Sequence, residues 1–392
     1  MIYKLEDICV KVCSGGTPNK KHTEYYSDGS IPWLNTGEIN FNRIKSTVNH
    51  ITELGLNKSS AKWVPENTVI VAMYGATAGR SAITKIPLTT NQACCNLIIN
   101  EHLADYRYVY YYLYSKYEHI ASLANGGAQQ NLNAGQIREY LIDLPSLDIQ
   151  QKVADILESL DIKIEQNKQI NDNLLQQCVT LYDEICSTAE IALMSDLVAI
   201  VETGSRPKGG AQTSGIPSIG AEKIERFGTY DYSGEKFISE EYFSKLKRGI
   251  ITSGDVLLYK DGAYTGKSSM ALDGFPHVKC AVNEHVFIIR TLNKKYQYFL
   301  YFTLQNDDIR KMIHGLACGK AAQPGLNQPE LLSVSIKLPP KDVLEAFEEQ
   351  VNPLMHQIAL NALESKYLSA LQDAILPKLM SGEIDVSSIE LD

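Results

Sequence analysis

Two loops in this chain set a cation beside closely spaced glycines: GATAGRS at 75–81, carrying Arg80, and GAYTGKS at 262–268, carrying Lys267. Such a loop can wrap a phosphate when four residues separate the glycines and a helix follows. Here three residues separate them in both copies, and neither is followed by a helix-forming run. Two readings remain: a tight turn between strands, or a loop whose Arg80 or Lys267 reaches a phosphate or a base edge. Amides in other loops carry the same choice. Asn91, Gln92, Asn283, Gln129 and Gln323 can read adenine through paired hydrogen bonds, or can cap backbone groups. Catalytic constellations are missing: there is no HExxH, no GxSxG and no Rossmann fingerprint. The Asn/Asp-Pro-Pro-aromatic motif of amino-methyltransferases is absent too, since Asn352-Pro353-Leu354 lacks the second proline. The residues point to a chain that does no chemistry itself.

Metal and redox chemistry find little footing. The eight cysteines (9, 13, 94, 95, 178, 186, 280 and 318) show no paired CxxC spacing. Cys9 and Cys13, four apart on an expected helix, suit a core better than zinc, so no metal ligands are assigned. No run of about 18 apolar residues is present, and the opening MIYKLEDICV lacks a secretory pattern, so a reduced, cytoplasmic protein without membrane contact is expected. A length of 392 residues suggests two to four units.

Net charge is −9, but it is unevenly spread. Residues 1–147 carry 13 basic and 12 acidic side chains, and residues 191–339 carry 18 and 15. Residues 148–190 carry 3 and 9, and residues 340–392 carry 3 and 10. Two mildly basic parts, compatible with DNA, therefore alternate with two acidic ones.

The acidic parts read as long helices. Ile149, Val153, Ile156, Leu160, Ile164, Asn167, Ile170, Leu174, Cys178, Leu181 and Ile185 recur every 3.6 residues on average, without an intervening Gly or Pro. A helix over 148–187 would span roughly 60 Å and needs a partner for its apolar stripe. Val343, Phe347, Val351, Leu354, Ile358, Asn361, Leu368, Leu371, Ile375 and Leu379 supply a matching stripe about 194 residues later. Paired antiparallel, the helices would bring Asn167 and Asn361 together, which would fix register at some loss of stability. Pro353 should kink or restart the second helix.

The basic parts are two copies of one unit. LEDICVKVCSGGTP at 5–18 matches MSDLVAIVETGSRP at 194–207, and each reads as a short helix and a turn. IPWLNTGEI at 31–39 then matches IPSIGAEKI at 216–224, followed by the two glycine loops. TNQACCNLII at 90–99 matches AVNEHVFII at 281–289, and an aromatic helix follows near 105–122 and 295–314. GGAQQNLN at 126–133 and GKAAQPGLN at 319–327 close each copy. Short β-branched runs broken by Gly, Asn and Pro indicate a mixed module. The seven tyrosines between Tyr106 and Tyr117 suit packing on a sheet better than base stacking. In the opening turns, Lys20, Lys21, Arg206 and Lys208 are either solvated or DNA contacts.

In this order and duplicated, these motifs, with LPSLDIQQKVADIL leading the first helix and LMSGEID at 379–385, resemble the specificity subunit of type I restriction–modification systems. The resemblance covers essentially the whole chain. It implies an α+β protein with two similar mixed α/β target-recognition domains, joined and spaced by two long antiparallel helices as a coiled coil with pseudo-two-fold symmetry. The expected boundaries are 1–147 for the first domain, 148–190 for the central helix, 191–340 for the second domain, and 341–392 for the last helix and tail. Each domain would read one half of a bipartite, asymmetric site in double-stranded DNA. By loop position, the contacts in the first domain would be Thr17, Lys20, Lys21, Asn35, Thr36, Tyr74, Thr77, Arg80, Asn91, Gln92, Gln129 and Gln130. In the second they would be Arg206, Lys208, Lys223, Lys260, Tyr264, Lys267, Asn283, His285, Lys320 and Gln323. Ile156, Leu160, Asn167, Leu174, Leu181, Leu354, Ile358, Asn361, Leu368 and Leu371 would pair the helices or meet partners.

The implied partners are two methyltransferase subunits docked on the helices, with restriction–translocase subunits joining through the complex. S-adenosylmethionine would belong to the methyltransferase, and ATP and Mg to the restriction subunit, with no cofactor on this chain. The same organisation allows a non-catalytic protein-binding scaffold with a coiled-coil spacer, which would show no salt-dependent DNA binding.

Overall fold

The computed structural model describes residues 1–124, 131–319 and 325–389. The chain divides into two compact units, one of residues 1–162 with 369–392 and the other of residues 163–368.

Alternating apolar residues give the first unit a sheet buried on both faces. Its five strands run in the order Cys9–Ser14, Cys94–Ile99, Val69–Ala72, Ser81–Thr84 and Asn42–Ile44, antiparallel except for the last pair. Successive side chains of a strand point to opposite faces. Val69, Val71 and Ile83 therefore enter one core with Tyr108 and Tyr111 of the helix Tyr106–Ser115, while Ile70, Ala72 and Ala82 enter another with Leu34 and Leu88. Leu34 and Leu88 belong to a four-stranded sheet ordered Asn49–Ile51, Ile31–Leu34, Leu88–Thr90 and Trp63–Val64.

The second unit repeats this plan. Val198–Thr203, Val286–Thr291, Val256–Tyr259 and Ser268–Met270 form an antiparallel sheet. Val256, Leu258 and Phe287 face one core, and Leu257, Val286 and Ile288 face the other.

Each glycine loop joins two antiparallel strands of the larger sheet, and a strand rather than a helix follows it. The glycines adopt positive φ: 77° and 85° at Gly75 and Gly79, 123° and 103° at Gly262 and Gly266. Side chains other than glycine rarely accept this region. The N–H of Gly79 donates to Ala72 O at 2.8 Å, and that of Gly266 to Tyr259 O at 2.9 Å. These amides are spent on their own chain, which excludes the phosphate-wrapping reading and leaves a tight turn.

Three local expectations need correction. Cys9 and Cys13 lie on the strand Cys9–Ser14, because the short helix Leu5–Ile8 ends before them and β-branched Val10 and Val12 favour extended chain. The aromatic helix is broken in both copies, into Tyr106–Ser115 and Tyr117–Ser122, and into Gln297–Gln305 and Asp307–Cys318. Asn306 causes the second break by accepting the N–H groups of Asp308 and Ile309 on its side chain, a helix cap. Finally, the last helix runs from Lys341 to Ser381 without restarting at Pro353. Pro353 and Glu349 are both exposed, so the Glu349 carbonyl deprived of its amide partner faces solvent.

The central helix spans Leu147–Cys186, 40 residues. In the second unit it runs antiparallel to the last helix: Lys163 meets Glu364 at 3.2 Å, and Asn171 donates to Ile358 O at 3.2 Å. In the first unit Gln372 donates to Asp161 at 2.8 Å. The buried line is Val153, Ala154, Leu157, Asn167, Asn171, Leu175, Cys178 and Tyr182. Ile156, Leu160, Leu174, Leu181, Leu354 and Leu368 are half-buried beside it, Ile358 and Asn361 are buried, and Leu371 is exposed. The apolar stripe is wider than the seam, so residues one position on from Ile156, Ile170, Leu174 and Leu181 take the innermost places.

Candidate nucleic-acid interface

Four loops of the first unit converge. The N–H of Gly16 donates to Thr90 O at 2.9 Å, that of Asn91 to Leu34 O at 3.0 Å, and that of Met73 to Ala93 O at 2.8 Å. The Trp33 indole donates to Gly16 O at 3.0 Å and holds the opening turn down. A Cβ on Gly15 would lie 1.9 Å from Thr90 O, so only glycine allows the turn to approach. Side chains complete the cluster. The Asn91 amide donates to Asn35 Oδ1 at 3.1 Å, and the Thr17 hydroxyl donates to Gln92 Oε1. Thr36 and Thr77 are half-buried, Tyr74 is exposed, and Lys20 and Lys21 extend into solvent. Arg80 is half-buried and donates to Asn40 at 2.7 Å.

The second unit builds the same convergence with different tips. A Cβ on Gly204 would lie 1.6 Å from Val282 O, and the N–H of Asn283 donates to Ile219 O at 3.0 Å. Asn283 is buried and accepts the N–H of His285 at 2.9 Å. Arg206 pairs with Glu284 at 3.0 Å, Lys260 with Asp261 at 2.7 Å, and Lys267 with Glu225 at 2.7 Å. His285 lies 3.1 Å from Asp261. Lys223 is mostly buried and serves structure: it meets Asp231 at 3.0 Å, and Ser233 donates to the same carboxyl and holds it down at about 2. Tyr264 and Lys208 are exposed. Gln129, Gln130, Lys320 and Gln323 lie outside the described residues.

Sequence reasoning missed Glu284, which aligns with Gln92 between the two copies and could have been found there. It also missed Arg310, Lys311 and His314, which with Tyr264 and Lys267 line a cleft of 310 Å³. These three sit on a helix whose sequence carries no loop signal.

The groups that could act as nucleophiles are quiet. All eight cysteines are free thiols, and burial pushes those of Cys9, Cys95, Cys178 and Cys280 up to about 12. A thiol so raised stays protonated near neutrality and unreactive. Among the described residues no three His, Cys, Asp or Glu side chains are placed to hold a metal ion.

Residues 1–176 match the model of the type I restriction modification DNA specificity domain. The chain is 24% identical over 417 residues to the type I restriction enzyme MjaIX specificity subunit of Methanocaldococcus jannaschii, covering 99% of this chain and 94% of that one. The first 176 residues thus resemble a type I DNA specificity domain, and nearly the whole chain is similar to a type I specificity subunit. The HindI specificity subunit of Haemophilus influenzae is 29% identical over 175 residues, covering 43% of this chain and 38% of that one. The crystal structure of a type I restriction–modification S subunit from M. genitalium shares the fold, with a TM-score of 0.61 at 15% identity over 97% of this chain and 95% of that one. The matched model is that of a DNA specificity domain, and the matched relatives are named as specificity subunits of type I restriction enzymes. No helix among the described residues is long and apolar enough to cross a membrane.

Proposed function

We propose that this chain is a type I specificity subunit that reads a bipartite, asymmetric duplex site, with residues 1–147 recognising one half and residues 191–340 the other. One observation carries this reading: a single loop scaffold is built twice and tipped with different side chains, Thr17 and Gln92 in one copy, Arg206 and Glu284 in the other. Two half-sites of different sequence require a repeated scaffold whose tips differ in donors and acceptors. Residues 148–190 and 341–392 act as the ruler between the halves, about a pseudo-two-fold axis. Half-sites one turn of duplex apart are separated by about 34 Å, within reach of modules on helices of roughly 60 Å.

Two methyltransferase subunits dock on the long helices, where Ile162, Ile170, Leu360, Tyr367 and Leu371 remain exposed. Restriction–translocase subunits join through that complex. S-adenosylmethionine serves the methyltransferase, which flips the target base, and ATP and Mg serve the restriction subunit. This chain supplies only recognition, in the cytoplasm where the DNA lies. Long-read detection of modified bases, in cells with the gene intact and deleted, tests the reading. One bipartite motif, methylated on both strands and lost on deletion, is expected. An identical modification pattern in both strains would refute it.

A further inference from the structure

The same two-residue contact occurs in both modules, between equivalent positions. Thr17 and Arg206 each precede the proline of the opening turn, and Gln92 and Glu284 each follow the asparagine of the second loop. Three features of the scaffolding beneath them are shared. Gly15 packs on Thr90 O as Gly204 packs on Val282 O, in each case directly before that asparagine. Asn91 accepts the N–H of Ala93 at 3.0 Å, as Asn283 accepts that of His285 at 2.9 Å. The N–H groups of Asn91 and Asn283 both donate at 3.0 Å, to Leu34 O and Ile219 O. These shared features project the residue after each asparagine toward the turn residue before each proline.

Only the side chains differ, and they differ as a pair: a hydroxyl with an amide in one module, a guanidinium with a carboxylate in the other. We propose that this pair is the base-pair reader of each module, with Thr17 and Gln92 reading A·T, and Arg206 and Glu284 reading G·C. The proposal rests on the DNA-reading function above. A glutamine amide matches the N6 and N7 edge of adenine, and a threonine methyl can meet the methyl of the opposite thymine. Gln92 accepts from Thr17 on Oε1 alone, so its amide hydrogens and one lone pair stay available. An arginine matches guanine O6 and N7, while a glutamate accepts from the N4 amine of the opposite cytosine. Glu284 Oε2 is buried without a partner, although Oε1 is held by Arg206 at 3.0 Å and approached by His285 at 3.4 Å. An unpartnered carboxylate oxygen costs free energy unless it finds a donor; the Glu284 side chain is 36% exposed, so a turn of its carboxylate presents Oε2 to the cytosine amine. The bland reading, a stabilising surface ion pair, accounts for less. Arg206 is about half exposed, and such pairs contribute little to folding. It also leaves unexplained why the same two positions touch in the module without charges.

The test uses the complete complex with its methyltransferase subunits. The double variant Thr17→Arg with Gln92→Glu is expected to keep the second half-site and to change the first at one base pair, from A·T to G·C, in the modified-base map. Glu284→Gln is expected to lose roughly ten- to hundredfold discrimination at one base pair of the second half-site. Its readout is competition among duplexes carrying every single substitution of the wild-type motif. If the double variant yields no methylation, the Glu284→Gln competition decides alone. Unchanged discrimination there, or an unchanged first half-site in an active double variant, overturns the pair. A wild-type complex that methylates no bipartite motif would instead overturn the DNA-reading function on which the pair rests.

Discussion

Asn361 donates its side-chain amide to Asn171 Oδ1 at 2.9 Å, not to Asn167, and both residues are buried between the long helices of the second unit. Asn167 is one turn away and donates to Glu364 at 2.7 Å and to Asn361 O at 3.4 Å. Three asparagines, rather than a facing pair, therefore set the register. Removing one leaves a buried partner without its bond, at a cost of about 1–3 kcal/mol. Asn361→Leu is thus expected to lower the melting temperature. Replacing all three with leucine is expected to raise it while loosening register. Equal melting of Asn361→Leu and the parent would show that the network carries no weight.

Glu348 reaches from the last helix to accept the N–H groups of Tyr298 at 3.4 Å and Phe299 at 2.7 Å, at the start of the helix Gln297–Gln305. Burial pushes its carboxyl up to about 8, although the two bonds favour the charge. The folded state thus binds this proton more tightly than the unfolded chain. The contribution to stability is full below the ordinary value of 4.5, falls as pH rises toward about 8, and is level above that. Glu348→Gln keeps an acceptor and removes the proton, so the variant should melt with a flatter dependence between those limits. Parallel melting curves for variant and parent across that range would contradict this account.

Arg43 donates to Asp161 at 2.7 Å and to Tyr111 at 2.9 Å, and lies 3.3 Å from Glu158, with only 16% of its side chain exposed. Here a strand of the first unit grips the central helix. Breaking a buried pair from one side strands the other charge, so Arg43→Ala should destabilise by about 3 kcal/mol. Chemical denaturation of the full chain measures it, and a change within about 0.5 kcal/mol would assign the grip to packing instead.

Gly204→Ala places a methyl 1.6 Å from Val282 O, a backbone atom that cannot rotate away. Overpacking of this kind costs about 3 kcal/mol, and the turn carrying Arg206 must move. The expected result is degraded recognition of the second half-site with the first retained, read in the modified-base map. Gly15→Ala is the mirror experiment. Loss confined to the same half-site in both variants would argue against independent modules.

Much of the architecture was legible because it is written twice. Elements that recur 190 or so residues apart identify themselves, and a stripe of period 3.6 located the central helix to within a residue of Leu147–Cys186. The tight turns at the two glycine loops were readable from their three-residue spacing, and Gly75 and Gly262 adopt positive φ there. The rest depends on contacts that no local pattern encodes. Thr17 and Gln92 meet across 75 residues, and Arg43 and Asp161 across 118. The pairing of Arg80 with Asn40 and of Lys267 with Glu225 is equally non-local. Cys9 and Cys13 misled because a spacing of four fits a helix, whereas the decisive term was pairing with the strand Cys94–Ile99.

The core of the first unit contains Leu376, Leu379 and Val386, side by side with Leu5, Val69 and Leu157. A growing chain therefore emerges with its first module unfinished, and its apolar surface stays open until residues 376–386 are made. The second unit, residues 163–368, holds all its own material and can close earlier. Manufacture thus runs against reading order: the module made first is completed last. A chain cut before Leu376 would lose part of the core of the module built from its beginning.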